Sequence, residues 1–333
     1  MKPLRIAMMT GLFALGSAPI GSMAADRSFA VAERPALTDV YPDRVTKWPA
    51  GVTSLADVTY STLPGYRPMV VDIYMPPKKG GPKPLILYIH GGGWVAGHTR
   101  HSGALANFPA VLAKLASEGF VVASLEYRLS AEAPFPAQLQ DARAALRFLK
   151  GNAATYGIDA SRTGIWGGSA GGHLTALTAY SCGDSSFDPK PAPAGSECAQ
   201  AIVTWYGVFD FAPLLKRASN STDPNAPENM LLRCKPLECD PALVARVSPV
   251  TFIDRTDPPT LLIHGDEDKV VEVHQSHIAE AALKAAGVPV EAIYVPGVDH
   301  SFIGKTPADT KAATLKATNA TFDFFHKTLK AGK

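Results

Sequence analysis

The feature that most constrains the fold of this 333-residue chain is a series of continuous apolar runs separated by helical patterns. Such runs are typical of strands covered on both faces, and strands that alternate with helices build a mostly parallel sheet. The first two strands are joined by a short turn, which predicts an antiparallel start. The sequence therefore predicts an α/β fold with helices on both faces and strands at residues 57–61, 68–74, 84–89, 120–125, 163–166, 201–206, 260–264 and 290–295.

The first 24 residues have the pattern of a secretory signal peptide. Lys2 and Arg5 precede a mostly apolar stretch, and small residues lead up to a cleavage site after Ala24. The alternative, an uncleaved anchor helix, is disfavoured because glycines and a proline interrupt the apolar stretch. We therefore expect a periplasmic or secreted protein without a stable membrane anchor.

The rest of the chain is predicted to form an extended lead-in over residues 25–55 and one domain over residues 56–330. Residues 184–258 are rich in Pro, Ser and Asp, and we expect an insertion there over the carboxyl ends of the strands, where α/β proteins bind ligands. The chain has 32 Lys and Arg residues against 30 Asp and Glu, without basic blocks. This charge pattern does not favour a nucleic-acid partner.

All four cysteines lie in one region of the chain, which contains Cys182, Cys198, Cys234 and Cys239. Four cysteines allow three pairings. Loop lengths favour Cys182–Cys198 and Cys234–Cys239, and an exported protein meets an oxidising compartment. A zinc site is the alternative, but the spacings lack the paired short units of structural zinc sites. The sequence therefore favours two local disulfides and no metal site.

One predicted strand-to-helix junction has the sequence Gly167-Gly168-Ser169-Ala170-Gly171. A Gly-x-Ser-x-Gly segment in this context is the pattern of a tight turn that projects the serine hydroxyl from the sheet edge. The glycines let the strand and helix backbones pass closely, and the helix N-terminus favours negative charge at this point. Ser169 is therefore a candidate nucleophile.

A serine nucleophile needs a base, and the base needs an acid that fixes its tautomer. Both are expected later in the chain, on loops that follow strands. Asp268 follows the strand at 260–264 and His300 follows the strand at 290–295, which is the required order. The alternatives that we consider less well placed are Asp266, Glu267 and Asp299 for the acid, and His274, His277 and His326, all on predicted helices, for the base.

A second glycine-rich segment, His90-Gly91-Gly92-Gly93-Trp94, directly follows the strand at 84–89. Its glycines leave backbone N–H groups available to a substrate carbonyl, and the N–H of Ala170 adds a further donor. The segment has neither the G-x-G-x-x-G spacing of a dinucleotide site nor a P-loop lysine. We therefore predict an oxyanion hole rather than a phosphate site.

These two segments, together with residues 127–136 (YRLSAEAPFP), resemble the α/β-hydrolase esterases. The similarity covers residues 56–327 and extends to hormone-sensitive-lipase-like esterases and to the bacterial feruloyl and acetylxylan esterase-like (BD-FAE-like) proteins. Gly168 stands where the hormone-sensitive-lipase-like pattern has Asp, which favours the second group. The resemblance implies an eight-stranded, mostly parallel sheet, no cofactor, a triad of Ser169, Asp268 and His300, and oxyanion donors at Gly92, Gly93 and Ala170.

We therefore predict a secreted serine carboxylesterase that acts through an acyl-enzyme on short-chain acyl, acetyl or feruloyl esters. Its partner would be a small-molecule or carbohydrate-linked ester, and the oligomeric state stays open. An amidase, formamidase or peptidase with the same triad is the alternative, and a non-catalytic binding protein is a further one. The aromatic residues expected to line an apolar or aromatic-tolerant pocket are Trp94, for which the core is an equal alternative, Trp205, Tyr206 and Phe209.

Overall fold

A single mixed sheet organises the computed structural model, which describes residues 44–77, 80–191, 193–216, 223, 225–235 and 238–330. The predicted signal peptide and residues 25–43 of the predicted lead-in lie outside these described residues. In chain order the strands are β1 (Val45–Lys47), β2 (Thr53–Ser61), β3 (Met69–Met75), β4 (Lys83–Ile89), β5 (Val121–Leu125), β6 (Ile158–Gly168), β7 (Ala201–Trp205), β8 (Thr260–Gly265) and β9 (Val290–Val295).

The strand order across the described sheet is β1-β2-β3-β5-β4-β6-β7-β8-β9. Strands β1 to β3 pair antiparallel, as does β3 with β5, and all other neighbours are parallel. The predicted α/β fold with an antiparallel start and a mostly parallel sheet is confirmed. Strand β1 adds a ninth strand to the eight expected. Its three residues are all exposed, so they give no apolar signal in the sequence.

Helices connect the strands and close the described chain. The last one begins at Pro307 because Thr306 caps it, exchanging hydrogen bonds with Asp309 in a capping box, and because proline fits the first helical position. In chain order the helices are α1 (Phe108–Ser117), α2 (Ala137–Gly151), α3 (Ala153–Tyr156), α4 (Ala170–Tyr180), α5 (Phe211–Leu215), α6 (Pro227–Leu232), α7 (Pro241–Val247), α8 (His274–Ala286) and α9 (Pro307–Leu329).

The sheet separates two hydrophobic clusters. Alternate residues of β4 belong to different clusters: Leu85 and Leu87 pack with α2, α4 and α8, whereas Ile86 and Tyr88 pack with α1 and α9. Successive side chains of a strand point to opposite faces, so each cluster covers one face of the sheet. This double coverage explains why β4 is a continuous apolar run.

The sheet starts earlier than the predicted domain boundary at residue 56, since β1 and the first three residues of β2 lie in the expected lead-in. Both predicted disulfides are present, with 5.2 Å between the Cα atoms in Cys182–Cys198 and in Cys234–Cys239. The disulfide predictions are therefore confirmed. In the part of the chain that the structure describes, no helix has the combination of length and apolar character that spanning a bilayer requires.

Candidate active site

Ser169 lies between β6 and α4 in a strained backbone conformation, with φ 56° and ψ −124°. Its N–H donates to the carbonyl of Trp205 at 2.8 Å, which ties the turn to β7. A Cβ atom on Gly167 would lie 2.3 Å from the carbonyl oxygen of Gly171, and one on Gly171 would lie 2.0 Å from the carbonyl oxygen of Ile89. The turn that projects the serine therefore requires both glycines.

The structure brings the three predicted catalytic side chains together from the ends of three strands. The Oγ atom of Ser169 lies 3.0 Å from Nε2 of His300, and Nδ1 of His300 lies 2.8 Å from Oδ2 of Asp268. The alternative acids bond elsewhere: Asp299 accepts from the backbone N–H groups of Lys269 and His300, and Asp266 accepts from that of Gly297. Asp268 is therefore the carboxylate that meets the His300 ring.

The Asp268 carboxylate is surrounded by N–H donors. Its Oδ1 accepts from the backbone N–H groups of Val270 and Val271, each at 2.9 Å. Its Oδ2 also lies 3.3 Å from Nε2 of His264, a fully buried side chain. Burial acts to raise the pKa of Asp268, but hydrogen bonds from His264 and His300 outweigh it and hold the pKa well below its usual range. Asp268 is therefore a carboxylate at neutral pH.

His264 has a defined proton position. Its Nε2 lies 2.8 Å from the carbonyl of Val271, which can only accept, so Nε2 carries the proton. Its Nδ1 then accepts from the hydroxyl of Ser276 at 2.7 Å. Sequence reasoning gave His264 no role. The signal was present, because this histidine is the last residue but one of β8 and lies only four residues before Asp268.

The same reasoning fixes the proton of a neutral His300. The negatively charged oxygen of Asp268 faces Nδ1, so the proton lies on that nitrogen. The lone pair of Nε2 then faces the Ser169 hydroxyl. This arrangement can withdraw a proton from Ser169 while Asp268 stabilises the imidazolium that forms.

The glycine-rich segment after β4 packs directly against the serine turn. A Cβ atom on Gly91 would lie 2.8 Å from the carbonyl oxygen of Gly168, and one on Gly92 would lie 2.2 Å from that of Ala96. Gly92 and Gly93 have φ values of 107° and 60°. Among the hydrogen bonds of the described residues, none uses the N–H of Gly92 or Gly93. The N–H of Ala170, the first residue of α4, has no acceptor within its helix.

Both segments line one cavity of about 700 Å³, which also contains His300. Tyr206 forms part of its wall, with its ring 4.7 Å from that of His300. A Cβ atom on Gly168 would lie 3.1 Å from the Tyr206 hydroxyl oxygen, so this ring occupies the space beside the residue before Ser169. A larger residue at position 168 would therefore crowd the Tyr206 ring, which explains why glycine fits there.

Trp94 lines the same cavity but is 97% covered, with its indole N–H donating to Nδ1 of His173 at 3.1 Å. The prediction was wrong for Trp205 and Phe209. Trp205 is buried in the cluster that contains α9, and its indole N–H donates to the hydroxyl of Thr321 on that helix at 2.9 Å. Phe209 is fully buried in the other cluster. The continuous apolar run did not reveal which face each aromatic side chain of this region occupies.

Sequence reasoning missed several residues that line the cavity, among them Pro227, Glu228, Val270 and Ile303. Pro227 and Glu228 begin α6, and the Pro227 ring would lie 3.2 Å from a Cβ atom on Gly93. Val270 and Ile303 lie on the loops that carry Asp268 and His300. Within the described ranges, no three His, Cys, Asp or Glu side chains are placed to hold a metal ion.

Comparison with known families and proteins agrees with this fold. The BD-FAE family model matches residues 71–283, and the dienelactone hydrolase family model matches residues 241–329. Esterase LipQ of Mycobacterium tuberculosis is 30% identical over 252 residues, which cover 74% of this chain and 57% of LipQ. Esterase LipC of the same organism is 30% identical over 66% of this chain and 53% of its own length. The chain thus spans about half the length of the curated relatives it matches.

Two solved structures share the fold over most of the chain. A truncated carbohydrate esterase from gut microbiota has 29% sequence identity and a TM-score of 0.67, over 87% of this chain and 99% of that protein. An acetyl ester-xyloside bifunctional hydrolase from Caldicellulosiruptor lactoaceticus has 26% identity and a TM-score of 0.66, over 81% of this chain and 95% of that protein.

Proposed function

We propose, from the premise that this chain belongs to the BD-FAE family of α/β-hydrolases, that it is a serine carboxylesterase. The observation that carries the proposal is the hydrogen-bonded series Ser169–His300–Asp268, with contacts of 3.0 and 2.8 Å. This series opens into a cavity that also contains a glycine-rich backbone segment. A nucleophile, a base and an oriented acid beside a substrate-sized cavity are the parts that acyl transfer needs.

In the proposed reaction, the Ser169 hydroxyl attacks the ester carbonyl while Nε2 of His300 takes its proton. The tetrahedral intermediate collapses when His300 returns that proton to the leaving alcohol, and an acyl-enzyme remains. Water, deprotonated by the same nitrogen, then attacks the acyl-enzyme, and His300 returns that proton to the Ser169 oxygen as the carboxylic acid is released. Asp268 holds the His300 ring in the required tautomer and stabilises its positive charge in both steps.

The negative charge on the carbonyl oxygen would be stabilised by the backbone N–H groups of Gly92, Gly93 and Ala170. Support comes from the contact between Gly91 and the serine turn, which places the two segments side by side. Support also comes from the helix N-terminus at Ala170, which favours negative charge. Removing one such donor typically costs ~10²–10³ in rate.

The proposed substrates are esters with short acyl groups, including acetyl and feruloyl esters. Acetyl and carbohydrate esters are named among the substrates of structural relatives, and six glycines line the cavity wall, which leaves room beside Ser169. We also propose that residues 184–258 act as an insertion that shapes this site, since Pro227 and Glu228 line the cavity. Export is supported by the two disulfides, which persist in oxidising compartments.

The test is hydrolysis of a panel of esters by the mature protein, with p-nitrophenyl acetate, butyrate and octanoate, methyl ferulate, an acetylated xylo-oligosaccharide and an anilide. Ser169→Ala should abolish ester turnover and covalent labelling by a fluorophosphonate while the fold is retained. Ser117→Ala, on α1, is the matched control and should keep full activity. Ester turnover by folded Ser169→Ala would overturn the assignment, and selective turnover of the anilide would identify an amidase.

A further inference from the structure

Two exposed apolar side chains stand at the edge of the cavity. Val270 exposes 56% of its surface and Ile303 exposes 46%, which places both among the most exposed large apolar residues of the described chain. Both line the cavity that contains Ser169 and His300. Single exposed apolar residues are ordinary on a protein surface, but two that line the same cavity beside a proposed nucleophile point to a ligand. We call this pair the apolar rim.

The apolar rim is held by the hydrogen bonds that organise the proposed catalytic side chains. The N–H of Val270 donates to Oδ1 of Asp268 at 2.9 Å. The N–H of Ile303 donates to the carbonyl of His300 at 3.3 Å, and its own carbonyl accepts from Asp299 at 2.8 Å. Both rim residues therefore lie on fixed backbone beside the His300 ring, rather than on loops that must first be ordered by a ligand.

The proposed reaction determines which part of an ester faces this side. The carbonyl oxygen must point to the N–H groups of Gly92 and Gly93, which line the cavity. The leaving oxygen must lie within reach of Nε2 of His300, because that nitrogen returns the proton to it. The alcohol portion therefore extends from Ser169 toward His300 and passes the loops that carry Val270 and Ile303.

We propose that the apolar rim is the binding site for the alcohol portion of the ester and that it selects alkyl or aryl alcohols over sugars. This inference rests on the proposed function. An alkyl or phenyl group removes apolar surface from water when it contacts both side chains. A sugar would instead place hydroxyl groups against apolar carbon and lose hydrogen bonds to water without replacing them.

The test uses the double variant Val270→Thr/Ile303→Thr, which keeps a branched Cβ at both positions but replaces a methyl group of Val270 and the ethyl group of Ile303 by hydroxyl groups. Val45→Thr is the matched control, because Val45 is 43% exposed on β1 and does not line the cavity. The first substrate series keeps the acetyl group and varies the alcohol through methyl, butyl, hexyl and phenyl acetate. The second keeps ethanol and varies the acyl group from acetate to hexanoate. An acetylated xylo-oligosaccharide completes the set.

For the wild type, kcat/KM should rise along the alcohol series. The double variant should lose about tenfold in kcat/KM on hexyl and phenyl acetate, with changes within about twofold on methyl acetate and on the acyl series. Where deacylation limits the rate, the double variant should hydrolyse the acetates with the same kcat as the wild type, because all acetates form the same acetyl-enzyme.

The proposal is overturned if the double variant loses kcat/KM equally on every ester, loses it only in the acyl series, or loses none on hexyl acetate. It is also overturned if the wild type prefers the acetylated sugar. Failure of the proposed function itself has a different signature. In that case the folded wild type turns over none of the esters and is not labelled at Ser169 by a fluorophosphonate.

Discussion

Asparagine at position 268 would keep the shape of the side chain while replacing one carboxylate oxygen by an NH₂ group. Four N–H groups converge on the carboxylate of Asp268: those of Val270 and Val271 on Oδ1, and those of His264 and His300 on Oδ2. An amide can accept through only one of its two terminal atoms. In either orientation, its NH₂ group must therefore face N–H donors.

The two orientations differ in how well the neighbours adapt. With NH₂ at the Oδ1 position, it faces two backbone N–H groups that cannot change. With NH₂ at the Oδ2 position, His264 retains the Val271 carbonyl at 2.8 Å, and His300 can move its proton from Nδ1 to Nε2. The second orientation costs less free energy. It leaves His300 with an N–H, rather than a lone pair, facing Ser169.

We therefore expect Asp268→Asn to lose ~10³–10⁴ in kcat, the size of effect produced by holding a catalytic histidine in the wrong tautomer. The free energy of unfolding should fall by about 2–3 kcal/mol, because one charge-assisted hydrogen bond to the buried carboxylate is lost. The loss of rate should thus far exceed what the loss of stability explains. Asp266→Asn, at an exposed carboxylate that bonds Gly297, should leave both quantities nearly unchanged.

Hydrolysis of p-nitrophenyl acetate and urea unfolding at pH 7 would measure the two effects. The reasoning fails if folded Asp268→Asn retains more than about a tenth of the wild-type kcat, since tautomer control is worth orders of magnitude. It also fails if Asp266→Asn loses as much activity as Asp268→Asn. Either result would mean that another acid orients His300.

Three further predictions concern stability. Gly171→Ala should prevent folding or cost several kcal/mol, because its Cβ would lie 2.0 Å from a backbone carbonyl oxygen. Gly151→Ala is the control: a Cβ there would have nothing within 4 Å, so the change should be neutral or stabilising by up to about 1 kcal/mol. Soluble yield and urea unfolding would compare the two variants. Replacing the Cys182–Cys198 pair by serines should lower the free energy of unfolding by about 3 kcal/mol, and replacing the Cys234–Cys239 pair should lower it by about 2 kcal/mol. The difference follows from the lengths of the closed loops, since the bridges span 16 and 5 residues. Equal losses of stability in calorimetry would contradict this ranking. Burial lowers the pKa of His173 to about 4. Its contribution to stability is therefore complete above the ordinary pKa of 6.5 and falls with acidification toward pH 4, by about 2 kcal/mol between pH 7 and 5. In denaturant titrations, His173→Gln should reduce the difference in the free energy of unfolding between pH 7 and pH 5. The same difference in the variant and the wild type would refute this prediction.

Local signals in the sequence were sufficient for the elements that depend on local interactions. Helix α9 begins at Pro307 because the capping box that starts it lies within four consecutive residues, Thr306 to Asp309. The disulfide pairs also follow from proximity along the chain. Ser169, Asp268 and His300 could be selected because each follows a strand, and parallel strands present their carboxyl ends at the same edge.

Other features depend on contacts that no local pattern encodes. The exposed residues of β1 become a strand only because β2 offers them an edge. Trp205 and Tyr206 are adjacent, yet one packs on α9 and the other lines the cavity, since β7 ends between them and Tyr206 takes a φ of 38°. The contact of His264 with Asp268 likewise requires the folded loop after β8.

The distances along the chain between the three candidate catalytic residues have a kinetic consequence. His300 and Asp268 are 32 residues apart, within a local strand–helix–strand unit, whereas His300 and Ser169 are 131 residues apart. Contacts between distant residues pay a larger entropy for loop closure and tend to form late. During refolding, the acid and base would therefore assemble within one local unit, and the nucleophile would join them only after β7 connects β6 to β8. Recovery of hydrolysis then reports the completion of the parallel sheet and lags behind the signals of collapse and helix formation.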